Sequence, residues 1–360
     1  MRATVLNYKG SLMNRVGIAG IGFMGWIHWL AYQRLSNVEV AAISTRDAAK
    51  RAGDWTLIQG NFGPPGEQVN LDGIATHESL DDLLNDSTVD LVDLCLPPHV
   101  HVDATLKAFE AGKHVFCEKP LALTAEECDT LVKASEAAGK QLLVGHVLPF
   151  FPEFAEARRV IQSGDYGRLL GGSFKRVISD PLWLSDFYEP QKVGGPMIDL
   201  HVHDAHLIRL LFGMPTSVDT TGRFRGDVVE YFQSVYRFND PSVVVSACGG
   251  VINQQGRPFT HGFEIHLERA TLQFEFAGFT DAGEVMPFKI LTHDGEVLRP
   301  ELTGGSDPIQ GFVAEIEEVM TSVNQNEPSN LLSGNLARDA IILCQQQTES
   351  ARLGKPIALV

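Results

Sequence analysis

Residues 15–35 read RVGIAGIGFMGWIHWLAYQRL. A short β-rich run, RVGIA, ends at Gly20, glycines recur at 22 and 25, and an amphipathic run continues from Trp26 to Leu35. Strand, glycine loop and helix in that order give G-x-G-x-x-G a physical meaning. Gly20 permits the tight turn, Gly22 lets the backbone approach a pyrophosphate, and Gly25 lets helix and strand pack closely. The helix N-terminus then faces the anion. With Phe23 and Met24 at the same rim, this stretch predicts a dinucleotide site.

The pattern on either side agrees. Apolar runs at VEVAAIS (38–44), VDLVDLCLP (89–97), HVFCE (114–118) and QLLVGH (141–146) are separated by helix-patterned stretches. In one of these, Thr124 and Glu127 stand at capping-box spacing. Strands alternating with helices predict a Rossmann-type doubly wound parallel sheet, α/β in class, over 15–146. The Gly/Pro-rich stretch from Gly53 to Gly73 is a loop without an assigned task. Beyond His146 come a helix stopped by Gly164 and then alternating runs such as LLGGSFKRVIS, VVVSACGGVI and TLQFEF. Strands in succession predict a second, α+β domain over 147–360 with a large, mostly antiparallel open sheet. Residues 1–14 are expected to form a flexible extension.

Composition narrows the partners. With 29 basic against 45 acidic residues, the formal charge of −16 argues against nucleic acid or anionic lipid. No apolar run reaches the roughly 18 residues of a membrane span. Five scattered cysteines without a CxxC pair read as thiols of a reducing compartment, hence cytoplasmic. An open sheet face needs cover, so a homodimer or homotetramer through the C-terminal sheet is expected.

Two stretches carry chemistry. HVFCEKP (114–120) sets Glu118 and Lys119 where a buried strand should end, at the crevice where open parallel sheets bind ligands. The competing reading is a solvated charge pair before a turn. Upstream, Pro97 and Pro98 force an extended turn that sets His99 or His101 against the nicotinamide. The second stretch, GGPMIDLHVHDAHLIRLLFG (194–213), reads as one helix on which Asp199 and His203 share a face. A carboxylate beside an imidazole holds its tautomer and makes it a proton acceptor near neutral pH. Asp204 and Arg209 read as solvent or structural charges. Metal binding by Asp199, His201, His203 and His206 competes, but H-x-H on a helix splays the rings about 200° apart, and no metal is expected. The second strand should end at the adenosine ribose, where an acid suits NAD and a base suits NADP. Ser44, Thr45 and Arg46 lean towards NADP over NAD, with Asp47 keeping NAD open.

GIGFMG (20–25), PPHVH (97–101), AGKHVFCEKP (111–120), GGPMIDLHVHD (194–204) and SARLGKPI (350–357) together resemble the Gfo/Idh/MocA oxidoreductase family, which includes glucose-fructose oxidoreductase and inositol dehydrogenase. The resemblance covers nearly the whole chain. It implies NAD(P)-dependent hydride transfer to or from a sugar, cyclitol or related polyol. Lys119 would stand near the substrate hydroxyl, with Asp199 and His203 as carboxylate and acid-base histidine. A glycosidase that oxidises transiently and a non-enzymatic nucleotide sensor are the alternatives. Three positions depart from the family pattern: Thr45 for an acid, Pro149 for a base, and His201 for a glycine, where it is expected to narrow the pocket or add a ligand.

Overall fold

The computed structural model describes residues 14–305 and 307–359. The extension expected over 1–14 lies outside them apart from Asn14, which opens the first strand. Six parallel strands, β1 (Asn14–Ala19), β2 (Val38–Ser44), β3 (Ala75–His77), β4 (Leu91–Leu94), β5 (His114–Glu118) and β6 (Leu142–Gly145), lie in the order β3-β2-β1-β4-β5-β6. Between them run α1 (Phe23–Tyr32), α2 (Ala48–Arg51), α3 (Leu80–Leu84), α4 (His101–Glu110) and α5 (Ala125–Ala138). The order reverses between β1 and β4, the place where sheets of this kind bind ligands at the carboxyl ends of their strands. Helix α1 starts at Phe23, ahead of the expected Trp26, because Gly22 is extended and serves as its N-cap. The capping box of Thr124 and Glu127 forms, and left-handed Gly139 ends α5.

After β6 come α6 (Pro152–Ser163), β7 (Leu169–Ser179), α7 (Gly195–Asp199) and α8 (Val202–Phe212). Six longer strands follow: β8 (Ser217–Arg225), β9 (Val228–Arg237), β10 (Val244–Ile252), β11 (Phe259–Leu267), β12 (Ala270–Gly278) and β13 (Gly283–Thr292). Short β14 (Val297–Leu298), helices α9 (Gln310–Gln325) and α10 (Gly334–Leu353), and β15 (Ile357–Ala358) complete the chain. The second sheet runs β14-β13-β12-β11-β7-β10-β9-β8-β15, antiparallel except where β7 meets β10. Its inner face, with Phe174, Tyr236, Val245, Phe263 and Phe274, packs on α6 and α8.

The pleat of the first sheet sorts its side chains. Val16, Ile18, Leu91, Phe116 and Leu143 face α1 and α9, whereas Val92, Leu94, Val115, Cys117 and Val144 face α4, α5 and α10. The last long helices thus return to the N-terminal sheet. Phe312, Ile316, Val319 and Met320 are buried there, each worth about 1.5–3 kcal/mol, which draws 310–325 onto this sheet. The 53–73 loop also belongs to this core: Trp55 is fully buried and meets Trp26 edge-on at 5.9 Å.

Candidate active site

The glycine turn owes its shape to close backbone contact. Gly20 has φ +95°, and a Cβ there would lie 2.4 Å from the Cys95 carbonyl oxygen. At Gly25 a Cβ would lie 2.2 Å from the Gly20 carbonyl oxygen, so this glycine lets the turn close on itself. A Cβ at Gly22 would meet nothing within 4 Å. Helix α1 has neither a side-chain cap nor an acid in its first turn. Its leading N–H groups therefore lack a side-chain acceptor, which suits a pyrophosphate. Phe23 turns away to pack edge-on against Phe62 at 4.9 Å, so its ring braces the 53–73 loop, while Met24 stays half-buried at the rim.

At the end of β2, Ser44 is buried and its carbonyl accepts the Gly20 N–H at 2.9 Å. Thr45 Oγ1 accepts the Asp47 N–H at 3.3 Å, and Arg46 is exposed. Asp47 is spent as the cap of α2, its Oδ1 accepting N–H groups of Ala49 and Lys50 at 2.9 and 3.3 Å. Lys50 Nζ reaches back to donate to the Ile21 carbonyl in the glycine turn at 2.7 Å. Sequence reading passes over Lys50; its only signal is a cation one helical turn beyond Arg46.

Pro97 is extended at the exit of β4 and His99 is exposed. The expectation that His101 lies against the nicotinamide is corrected. It is buried, with its ring nitrogens 2.8 Å from the carbonyl oxygens of Pro120 and Leu96, and so ties the exits of β4 and β5 together. Glu118 is likewise corrected from cofactor contact to support, since its side chain lies 6% exposed and its Oε2 accepts the Lys119 N–H at 3.0 Å.

Lys119 crosses to the second half of the chain. Its ammonium donates to Asp199 Oδ1 at 3.0 Å and to the Asp199 carbonyl at 2.8 Å. The side chains keep 19% and 25% exposure, so the pair remains partly open to solvent at the carboxyl end of β5. The single helix expected over 194–213 is broken: α7 ends at Asp199 and α8 begins at Val202. Gly194 and Gly195, at φ +84° and +68°, lead the chain into this turn. The expected pairing of carboxylate with imidazole does not form: no hydrogen bond joins Asp199 and His203 among the described residues, and the carboxylate accepts from Lys119 instead. His201 is corrected too: its Nε2 lies 3.0 Å from the Tyr236 hydroxyl and 3.1 Å from Gln347 Oε1, inside the core and away from the crevice.

His203 meets His146 edge-on at 6.1 Å, and His146 stacks on His206 at 4.1 Å. Burial, then the Lys119 and Arg176 cations, hold His203 well below the ordinary imidazole range. Burial, His206 and Lys119 do the same to His146, and burial takes His206 to about 4. The Lys119 field on both His203 and His146 marks all three as neighbours. Neither ring nitrogen of His146 has a hydrogen-bond partner among the described residues. Sequence reading uses His146 only as the end of a strand. Of the two readings of Asp204 and Arg209, solvent or structural charge, the structural one holds. Asp204 takes the buried Arg176 guanidinium in bidentate contact at 2.7 and 3.1 Å, and Arg209 meets Asp339 at 2.7 Å. Burial opposes the charge on Asp204, yet Arg176 and His201 bring its pKa to about 2.

A glycine turn at the switch point of a parallel sheet, a lysine at the exit of β5, and a carboxylate and an imidazole on α7 and α8 beside a second sheet define the class of two-sheet, dinucleotide-binding oxidoreductase folds. Residues 14–146 match the family model described as "Oxidoreductase family, NAD-binding Rossmann fold", and 154–273 match the "GFO/IDH/MocA C-terminal domain". The chain belongs to the GFO/IDH/MocA oxidoreductase family. Similar curated proteins include the 2,7-anhydro-N-acetylneuraminate hydratase of Escherichia coli, 35% identical over 40% of this chain and 39% of that protein. The rhizopine catabolism protein MocA of Rhizobium meliloti is 32% identical over 56% and 59%. The matches span about two-fifths to three-fifths of these relatives' lengths. Among solved structures, levoglucosan dehydrogenase in complex with NADH and L-sorbose superposes with a TM-score of 0.78 at 21% identity, covering 96% of this chain and 99% of that one. Among the described residues no helix is long and apolar enough to cross a membrane.

The histidines set a pH dependence. His101, His114, His146, His203, His206 and His261 are all lowered in the fold, whereas the unfolded chain takes up their protons below about pH 6.5. Stability from these groups is full above that pH and is lost as pH falls. Glu315, raised by burial, and His28, raised against burial by Asp93 and Cys95, oppose them, and the lowered histidines outnumber the pair. The urea midpoint of unfolding should therefore drop between pH 7 and pH 5; a flat or rising midpoint contradicts the neutral histidines.

Proposed function

We propose that the protein transfers a hydride between a nicotinamide dinucleotide and a carbinol or carbonyl carbon of a sugar, cyclitol or related polyol. The observation that carries this reading is the 3.0 Å contact of Lys119 with Asp199, between a strand exit at the dinucleotide crevice and the helix break that precedes His203. The open cradle at Gly22 fits a dinucleotide, which when bound supplies the hydride acceptor or donor. His203, neutral at physiological pH because burial and nearby cations disfavour its charged form, takes the hydroxyl proton during oxidation and returns it during reduction. The Lys119 ammonium stabilises the developing alkoxide. Asp199 fixes that ammonium by accepting from it with both side chain and backbone. Lys119→Ala and His203→Ala should each lower turnover by about 10²- to 10⁴-fold, with circular dichroism and nucleotide affinity retained. Near-normal turnover in either variant contradicts the assignment.

A second reading, in which the nucleotide is retained and the net reaction is not a redox one, is favoured by the hydratase among the relatives. Accumulation of reduced nucleotide on a polyol panel separates the two. The uncovered face of the second sheet, with Val235 and Val244 at 45% and 67% exposure, supports self-association through that sheet.

The cofactor is proposed to be NADP(H) in preference to NAD(H). The acid after β2 is engaged as a helix cap, while Arg46 and Lys50 stand at the end of β2 and on the glycine turn, where a 2′-phosphate is recognised. NADPH should bind at least about tenfold more tightly than NADH, and Lys50→Ala should shrink that ratio, since a charge-assisted contact contributes roughly 1.5–3 kcal/mol. Tighter NADH binding by calorimetry overturns the preference.

A further inference from the structure

The face of the first sheet covered by α1 and α9 should be apolar throughout, yet the pleat puts Asp93 beside Leu91 and Glu118 beside Phe116 on that face. The covering helices answer with His28 and Tyr32 from α1 and Glu315 from α9. His28, Asp93 and Glu315 are 0% exposed and Tyr32 2%. His28 Nδ1 lies 2.8 Å from Asp93 Oδ2, which also accepts the Tyr32 hydroxyl at 3.0 Å. The other ring nitrogen, Nε2, lies 3.1 Å from Glu118 Oε1, a close ionic contact without hydrogen-bond alignment. Glu118 Oε2 in turn accepts the N–H of Lys119 at 3.0 Å. Phe116 stacks on the imidazole at 5.2 Å and keeps water from screening the contacts.

Two buried carboxylates cannot stay ionised without a cation, and among the described residues His28 is the one basic group that contacts both. Cys95 Sγ lies 3.4 Å from its Nδ1, and imidazole, carboxylate and thiol together also suit a transition metal. Here, however, the 2.8 Å imidazole–carboxylate distance is that of a hydrogen bond, and Tyr32 already occupies the same oxygen, so the group is closed on itself. Among the described residues neither oxygen of Glu315 has a hydrogen-bond partner. Burial, then the nearby Glu118 charge, keep it protonated, so it adds no second anion for His28 to balance.

We propose that His28 is a positioning residue for Lys119: bridging Asp93 and Glu118 as an imidazolium, it fixes the carboxylate that anchors the backbone from which Lys119 projects. Because His28 rides on α1, whose N-terminus forms the pyrophosphate cradle, the seat of the nucleotide and the aim of the ammonium share one rigid contact. Burial works against the charged ring, but Asp93 and Cys95 raise its pKa well above the ordinary value, in keeping with an imidazolium at neutral pH. The inference rests on the reading of Lys119 as the group that meets the substrate.

The test is His28→Gln in the full chain, read in two ways. Misplacing a catalytic group by about an ångström costs up to roughly 10²-fold, so kcat on a polyol should fall about 10- to 100-fold, with KM and nucleotide affinity changed less than about threefold. Independently of any substrate, the rate at which an amine-reactive reagent labels Lys119 in the nucleotide complex, followed by mass spectrometry, should rise severalfold as the ammonium loosens. A lower melting temperature with kcat and labelling unchanged overturns the proposal. If His28→Gln does not fold, imidazole NMR of the native protein decides: a neutral His28 ring at pH 7 overturns it. If labelling shifts while the native protein turns over no polyol, the positioning role stands and the dehydrogenase reading falls.

Discussion

The ion pair of Lys119 and Asp199 is the point on which the two sheets converge. One partner leaves the carboxyl end of β5, next to the glycine turn, and the other ends α7, beside the second sheet. Their residual exposure keeps the pair in a setting where charge is neither quenched by bulk water nor stranded in the core. An ammonium held from one side by a carboxylate keeps further donors for a ligand. That spare capacity allows the contact to be functional as well as structural.

The rest of the architecture holds these two ends still. Arg176 on β7 grips Asp204, and Asp339 on α10 grips Arg209, pinning α8 at two places along its length. The Arg176 pair is buried, and burying two charges pays only when their geometry is near ideal; the bidentate contact meets that condition. On the other side His101 joins the exits of β4 and β5 through two carbonyls, and the His28 cluster does the same beneath the sheet. Within this frame the imidazoles of His146, His203 and His206 are held neutral by burial and by cations, which leaves them able to accept protons and poor at keeping them.

Much of this was legible from residue order. The glycine turn is local, so three glycines between a β-run and an amphipathic run suffice, and the capping box of Thr124 and Glu127 is equally local. Lys119 could be placed because a parallel strand must end at the crevice. Apart from His101, which nearby Leu96 and Pro120 hold, the failures share a cause, a contact made over a long sequence separation. Asp199 and His203 suit one helix face by spacing, but Lys119, 80 residues away, takes the carboxylate and the backbone breaks between them. His201 and Glu118 look poised at a site, and distant partners, Gln347 and His28, turn them inward. Asp93 was visible as a charge within an apolar run, a signal of something buried, but nothing in its neighbourhood names His28, 65 residues earlier, as its partner.

The most direct test of the central claim is a crystal structure of the protein with a nicotinamide dinucleotide and a polyol bound together. The account requires the Lys119 ammonium and a His203 ring nitrogen both to stand within about 3.2 Å of one carbinol oxygen, with the pyrophosphate on the Gly22 cradle. A polyol seated elsewhere, or a carbinol oxygen reached by only one of the two side chains, contradicts it.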